Sequence, residues 1–227
     1  MLGGLGGWIA ILTERSDERR PLRPTPKSVE TRSRIVKGAL QALERNGIGE
    51  TTTRKIAFEA KVRLATLHYH FESKEAVLLS VLEELLSELT LTLRKGSQKH
   101  ERLPDRIAKI VQTARGYAER TRAKQIVQFE LTLYALRTKG SEWLATRQYD
   151  AYVAAYAALL TTNTDPILPQ AQSRELSRFI LAGIDGLILQ DLAGVHRRHT
   201  KLGVTALIAA AQSRAEAFAA PISRPGS

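Results

Sequence analysis

The chain of 227 residues contains no cysteine. Disulfides, thiolate zinc sites and cysteine nucleophiles are excluded together, so packing must hold the fold. No serine sits on the tight glycine-flanked turn that raises a hydrolase nucleophile, no Gly-x-Gly-x-x-Gly motif follows a strand, and there is no phosphate-cradling Walker loop. Enzyme chemistry has no visible seat, and neither a cofactor nor a metal is expected. No apolar run approaches the ~20 residues of a membrane-spanning helix, because charges recur along the chain. The apolar start MLGGLGGWIAIL has no basic residue ahead of it and no small-residue cleavage site, so it reads as a tail rather than a signal peptide. A soluble, cytoplasmic protein is expected.

Acidic residues are scarce as well. Against 34 Lys and Arg stand 23 Asp and Glu, a net charge of +11, which points to a polyanionic partner: nucleic acid first, an anionic membrane surface second. An arginine-rich protein can also be basic without any specific partner. With 43% hydrophobic and 25% charged residues the composition is that of an ordinary globular protein, and the length suits one large core or two smaller ones.

Residues 14–27, ERSDERRPLRPTPK, carry prolines and basic residues without apolar periodicity and read as a flexible basic arm, here bounded as residues 1–27. From Ser28 to Asn46, Val29, Ile35, Ala39, Leu40 and Leu43 recur at helical spacing, and Asn46-Gly47 supplies a left-handed stop. A second short helix starts at the threonine run 51–53, whose hydroxyls suit free amides. A third covers Leu64 to His70. Ser73 caps a long fourth, with Val77, Leu78, Val81, Leu82, Leu85, Leu86, Leu89 and Leu93 as its stripe, ending at Gly96. Five more helices are expected at about 104–119, 123–138, 141–161, 170–198 and 202–219. No segment reads as a strand, and the fold class is all-α with about nine helices.

Two histidine pairs could suggest a metal. In HYHFE, His68 and His70 lie two apart and on a helix project ~200° from each other, which keeps them from sharing an ion. In HRRH, His196 and His199 could face one metal, but no carboxylate follows nearby, and a solvated basic helix terminus accounts for them as well.

Residues 51–75, TTTRKIAFEAKVRLATLHYHFESKE, form two short helical patterns around a turn near Lys61 and Val62. Ile56, Ala57, Ala60, Val62, Leu67 and Phe71 make one apolar cluster and leave the basic positions outside. This is the sequence form of a helix-turn-helix, whose second helix enters the major groove. The segment resembles the DNA-binding module of the TetR family of bacterial transcriptional regulators, through TTRKIA at 52–57, Val62, TLHYHF at 66–71 and Lys74-Glu75. The likeness runs from helix one to the start of helix four; FELTLYALR at 129–137 and GIDGLILQ at 183–190 are similar to segments of the family's C-terminal half. Lys61 stands where the family usually has a turn glycine and His68 where it usually has tyrosine, while Gly38 inside helix one costs up to ~1 kcal/mol against alanine.

The resemblance implies a DNA-binding domain over 28–74, an effector-binding and dimerising domain over 75–220, and a tail over 221–227. It implies phosphate contacts from Thr53, Arg54, Tyr69, His70 and Lys74. Helix N-termini suit phosphate oxygens, which supports the Thr52 and Lys74 positions independently. Base reading falls to Arg63, Leu64, Ala65 and Thr66 in the first turn of helix three, through guanine bonding by arginine and thymine-methyl contact by leucine and the threonine methyl; for Leu64, packing within the domain is the alternative. His68 remains a possible pH-dependent phosphate contact. The arm suits a minor groove or nonspecific phosphate contact, or has no role.

One short recognition helix reads too few base pairs, so a homodimer on a pseudo-palindromic double-stranded operator is expected. Small and apolar residues of the last two helices, Ile180, Gly183, Ile184, Leu187, Ile188, Asp191, Leu207, Ala211 and Phe218, suit a four-helix dimer interface or simply core. Gln125, Gln128, Phe129, Thr132, Trp143, Tyr149, Tyr152 and Tyr156 are polar and aromatic residues in apolar surroundings, and suit an effector pocket or a core edge. In the family, a small-molecule effector there would change the spacing of the DNA-binding modules through helix four. The expected function is a ligand-released repressor without membrane contact; the competing readings are a small-molecule-binding helical protein without DNA function and an enzyme using the histidines.

Overall fold

A computed structural model describes residues 25–95, 101–162, 164–194 and 197–219. Most of the expected arm, the tail at 221–227, Gly96 and His196 lie outside these residues. By Cα proximity the chain divides into Met1–Ser33 and Arg34–Ser227. In the first unit the described residues open a helix, with the Ser28 amide donating to the Thr25 hydroxyl at 3.2 Å and the Thr31 hydroxyl to the Lys27 carbonyl at 2.9 Å.

Among the described residues there are nine helices: α1 Pro26–Glu50, α2 Thr53–Glu59, α3 Leu64–His70, α4 Lys74–Lys95, α5 Leu103–Arg120, α6 Arg122–Arg137, α7 Glu142–Thr161, α8 Gln170–Leu192 and α9 Arg197–Ala219. The all-α expectation holds. The helix pattern of α1 breaks at Gly47, whose φ of 69° and ψ of 172° suit glycine, which is the stop that Asn46-Gly47 announces. Two corrections concern the later boundaries. Residues 101–102 and 164–165 form a two-residue parallel pair, β1 with β2, although no strand was expected. The pairing arises because the loops before α5 and after α7 run side by side, and Glu101 is held by Arg106 at 2.6 Å and Lys109 at 3.0 Å; such a contact leaves no period in a sequence. The helix expected to reach residue 198 ends at Leu192, after which Gly194 takes a left-handed φ of 84°. Arg198 and His199 therefore open α9 instead of closing α8, where a cation would have met the favourable end of the dipole. Among the described residues no group of three potential ligands could hold a metal ion, and no helix is long and apolar enough to cross a membrane.

Two apolar clusters organise Arg34–Ser227. One joins Ile35, Ala39 and Leu43 of α1, Ile56 of α2, Leu67 and Phe71 around α3, the N-terminal half of α4, and Val127, Leu131 and Ala135 of α6. The other packs Leu89 and Leu93 of α4 against α5, α7, α8 and α9. The single stripe read along α4 therefore serves both clusters in turn.

Candidate nucleic-acid interface and effector cavity

The helix-turn-helix is built by local chemistry. Thr52 is the N-cap of α2, its hydroxyl accepting the Lys55 amide at 3.2 Å. Thr51 is buried and donates to the Gly47 carbonyl at 2.7 Å, which fixes the corner before α2. The turn is closed by Lys61, which adopts the left-handed region with φ 53° and keeps the turn geometry a glycine would give at some steric cost. The Arg34 guanidinium donates to the Ala60 and Lys61 carbonyls at 3.2 and 2.9 Å and ties the turn to α1. Gly38 has a reason invisible in the sequence: a Cβ there would stand 2.5 Å from the Ala60 amide nitrogen, so α1 and α2 approach too closely for any side chain.

On α3, buried Leu67 with Phe71 just beyond it anchors the helix, while Arg63, Ala65, His68 and Tyr69 are exposed. Tyr69 is 84% exposed with its ring edge-on to His70 at 5.2 Å, and Phe58 on α2, absent from the sequence-based set, is 81% exposed. An apolar ring held in water beside a basic surface is the informative kind of exposure. Thr52 and Arg54 are exposed and Thr53 and Thr66 half-buried. Leu64 is half-buried against the N-terminal cluster, which favours the packing alternative for it. Lys74 is half-buried: its ammonium donates to the Ile48 carbonyl at 3.3 Å and lies 5.2 Å from the centre of the Tyr134 ring. Burial lowers its pKa, opposed by neighbouring Glu75.

A narrow cavity lies between α4, α5, α6, α7 and α8. Of the residues expected to line a pocket, Gln125, Gln128, Tyr152 and Tyr156 do so. Tyr152 donates to Gln128 Oε1 at 2.8 Å, and Gln125 to the Thr121 hydroxyl at 3.0 Å. The other four do not line it. Thr132 is buried but donates to Gln148 at 2.9 Å, Phe129 packs on the C-terminal cluster, Trp143 is 45% exposed, and Tyr149 reaches the cavity only through Asp185, to which its hydroxyl donates at 3.1 Å. Asp185 and Tyr117 are lining residues that the sequence reading missed. The signal for Asp185 was present, as a lone acid in the apolar run LAGIDGLIL. Burial pushes its carboxyl up to about 6, partly offset by the Tyr149 hydrogen bond.

Helix α6 touches both regions. Gln125 and Gln128 line the cavity; further along the helix, the Glu130 carboxylate accepts the Ile48 amide at 3.1 Å, and the Tyr134 hydroxyl donates to Glu75 at 2.9 Å. Glu75 is held below the usual carboxylate range: burial opposes this, and its backbone hydrogen bond, Tyr134, Ser73 and Lys74 outweigh burial.

The residues expected at a dimer interface are mostly spent inside the chain. Ile180, Ile184, Ile188, Leu207 and Ala211 belong to the C-terminal core, and half-buried Leu187 and Phe218 pack against it. A Cβ on Gly183 would stand 2.4 Å from Leu207, so this glycine permits the α8–α9 crossing. Asp191 pairs with Arg115 at 2.8 Å and accepts the Thr200 hydroxyl at 2.6 Å, linking α5, α8 and α9. Helical patterning marks a buried face without telling which neighbour buries it.

Residues 35–81 match the family model described as bacterial regulatory proteins, tetR family. The chain is 24% identical over 169 residues to the HTH-type nicotine-responsive transcriptional repressor HdnoR of Paenarthrobacter nicotinovorans, a match covering 73% of this chain and 86% of that protein. It is 28% identical over 167 residues to the HTH-type transcriptional regulator BetI of Brucella anthropi, covering 72% and 82%. Its fold is similar to that of a TetR-family member from Streptomyces coelicolor A3, with a TM-score of 0.59 at 23% identity over 78% of this chain and 96% of that one. The matched segment coincides with the helix-turn-helix built above, so residues 35–81 are a DNA-binding module of the tetR type, and over most of its length the chain is similar to transcriptional regulators.

Proposed function

We propose that this regulator is a repressor that binds a pseudo-palindromic DNA operator as a homodimer and is released when a small molecule occupies the cavity between α4 and α8. The observation that carries the reading is α6, which lines the cavity at Gln125 and Gln128, holds Ile48 of the DNA-binding half at Glu130, and holds Glu75, at the start of α4 next to that half, at Tyr134. A molecule that displaced α6 would bias the helix-turn-helix without touching DNA. On this reading residues 28–74 bind DNA and 75–220 bind effector and partner. Exposed Arg63 and Ala65 read bases, and Thr52, Thr53, Arg54, His68, Tyr69 and His70 meet the backbone. The second copy docks on the outward face of the last two helices, where Ala182, Leu189, Leu202, Ala206 and Ala209 are exposed small and apolar residues.

Binding to the DNA upstream of the chain's own gene, followed by fluorescence anisotropy from low to high salt, tests the reading. Affinity should fall steeply as salt rises, and Arg63→Ala should flatten the preference at one base pair per half-site by ~1–3 kcal/mol. Salt-independent binding would remove the regulator reading.

A further inference from the structure

Asp185 is the one carboxylate among the residues lining the cavity. Among the described residues every ion pair lies elsewhere, and the hydrogen bond that Asp185 accepts comes from a neutral phenol, Tyr149. Largely buried carboxylates are costly without a countercharge, so one left unpaired beside a cavity asks what neutralises it. Its surroundings answer in part. Tyr117, Tyr152 and Tyr156 stand around the same space, 6%, 3% and 1% exposed, and phenol rings present negative faces. The Tyr117 hydroxyl is enclosed and falls short of full hydrogen-bonding geometry, with Glu88 and Thr121 the polar groups that face it. No lysine, arginine or histidine lines the cavity. An anion would meet Asp185 unscreened, and a neutral molecule would leave the carboxylate as it is.

We propose that the effector is a compact organic monocation, a protonated amine or quaternary ammonium, seated against the Asp185 carboxylate and enclosed by the rings of Tyr117, Tyr152 and Tyr156. This rests on the effector-responsive reading given above. Leu89, Leu181 and Ile188 take the apolar body of the ligand, and because the space as it stands is only about 20 Å³, little more than a water's room, the lining helices must part to admit it.

Calorimetric titration of the full chain with tetramethylammonium chloride and with tert-butanol, a neutral molecule of similar size, tests this at ionic strength matched with sodium chloride. The cation should bind at least ~10-fold tighter, and Asp185→Asn should abolish that preference. Should the variant not fold, the wild-type chain decides through pH. Tetramethylammonium carries no titrating proton, so its affinity should drop as pH falls through about 6, where Asp185 takes up a proton. The other groups facing the site do not mimic this. Tyr149 and Tyr152 of α7, Tyr156 beside them and Tyr117 of α5 are all pushed upward by burial, and Glu88 of α4, which faces Tyr117, is paired with Lys124 of α6 at 2.5 Å. Equal binding of cation and alcohol, a preference that survives Asp185→Asn, or affinity constant from pH 7.5 to 5 each overturns the proposal. Operator binding measured on the same sample keeps the two readings apart: salt-dependent DNA binding released by neutral or anionic compounds refutes the cation alone, whereas absent DNA binding refutes the regulator and leaves the cation result standing.

Discussion

At the scale of single residues, two positions trade stability for something else. Lys61 holds φ at 53°, a region that costs a side-chain-bearing residue ~1 kcal/mol. Lys61→Gly should therefore raise the melting temperature by a few degrees, offset in part by the greater freedom of an unfolded glycine; an unchanged or lower value would mean that the lysine compensates by contacts of its own. Asp185 is the second. Its folded-state carboxyl lies at about 6, above the usual 3.8, so the folded chain holds the proton more tightly than the unfolded one. The stability this gives is fully present below the unfolded value and is lost as pH rises through about 6. Asp185→Asn should thus be more stable than wild type at pH 7.5 by on the order of 1–3 kcal/mol, with the gap closing below pH 4, as thermal melts across that range would show. The sequence made the apolar anchors of the recognition helix legible, Leu67 and Phe71 above all, because burial of a helix face leaves a period. It did not show that Lys74 meets the Ile48 carbonyl, since a lysine's stem lets its charge follow whichever carbonyl tertiary contact brings near.

At the scale of elements, α6 is the member whose role depends least on its own pattern. Its segment QIVQFELTLYALR mixes polar, aromatic and branched residues on every side, because α6 borders a cavity on one face, the DNA-binding cluster on another and water on a third: Ile126 and Leu133 are 41% and 52% exposed while Val127 and Leu131 are buried. Such a helix gives a weak amphipathic signal however firmly it is placed. The Glu130 hydrogen bond to the Ile48 amide is its clearest link to the corner before α2. Glu130→Ala should speed hydrogen exchange at Ile48 about tenfold, with the central amides of α4 unaffected. Retained protection at Ile48 would take α6 out of the path between cavity and DNA. Helix α4 contrasts with it, since its continuous leucine stripe was plain from the sequence; that the stripe divides between two cores at about Leu85 to Leu89 was not.

At the scale of the whole molecule, the outward face of α8 and α9 carries the remaining prediction. Ala182 and Ala206 are exposed, and a Cβ on Gly186 would meet nothing within 4 Å, so this face has room for a partner where Gly183 does not. Ala206→Glu should shift the chain towards monomer in light scattering and lower operator affinity at least ~10-fold, because each half-site would then be bound alone; a dimer that persists would place the interface elsewhere. The sequence by itself determined the helical class, the cap at Thr52, the stop at Gly47 and the helix-turn-helix, all of which rest on contacts between residues near in sequence, where spacing and side-chain chemistry act directly. Only the tertiary structure decided which of the patterned apolar faces turn inward, why Gly38 and Gly183 bear no side chain, and that Asp185, Tyr117 and the α7 tyrosines meet around one space. Those are encounters between helices far apart in the chain, set by packing as a whole, and a sequence records only that each helix has a face to bury.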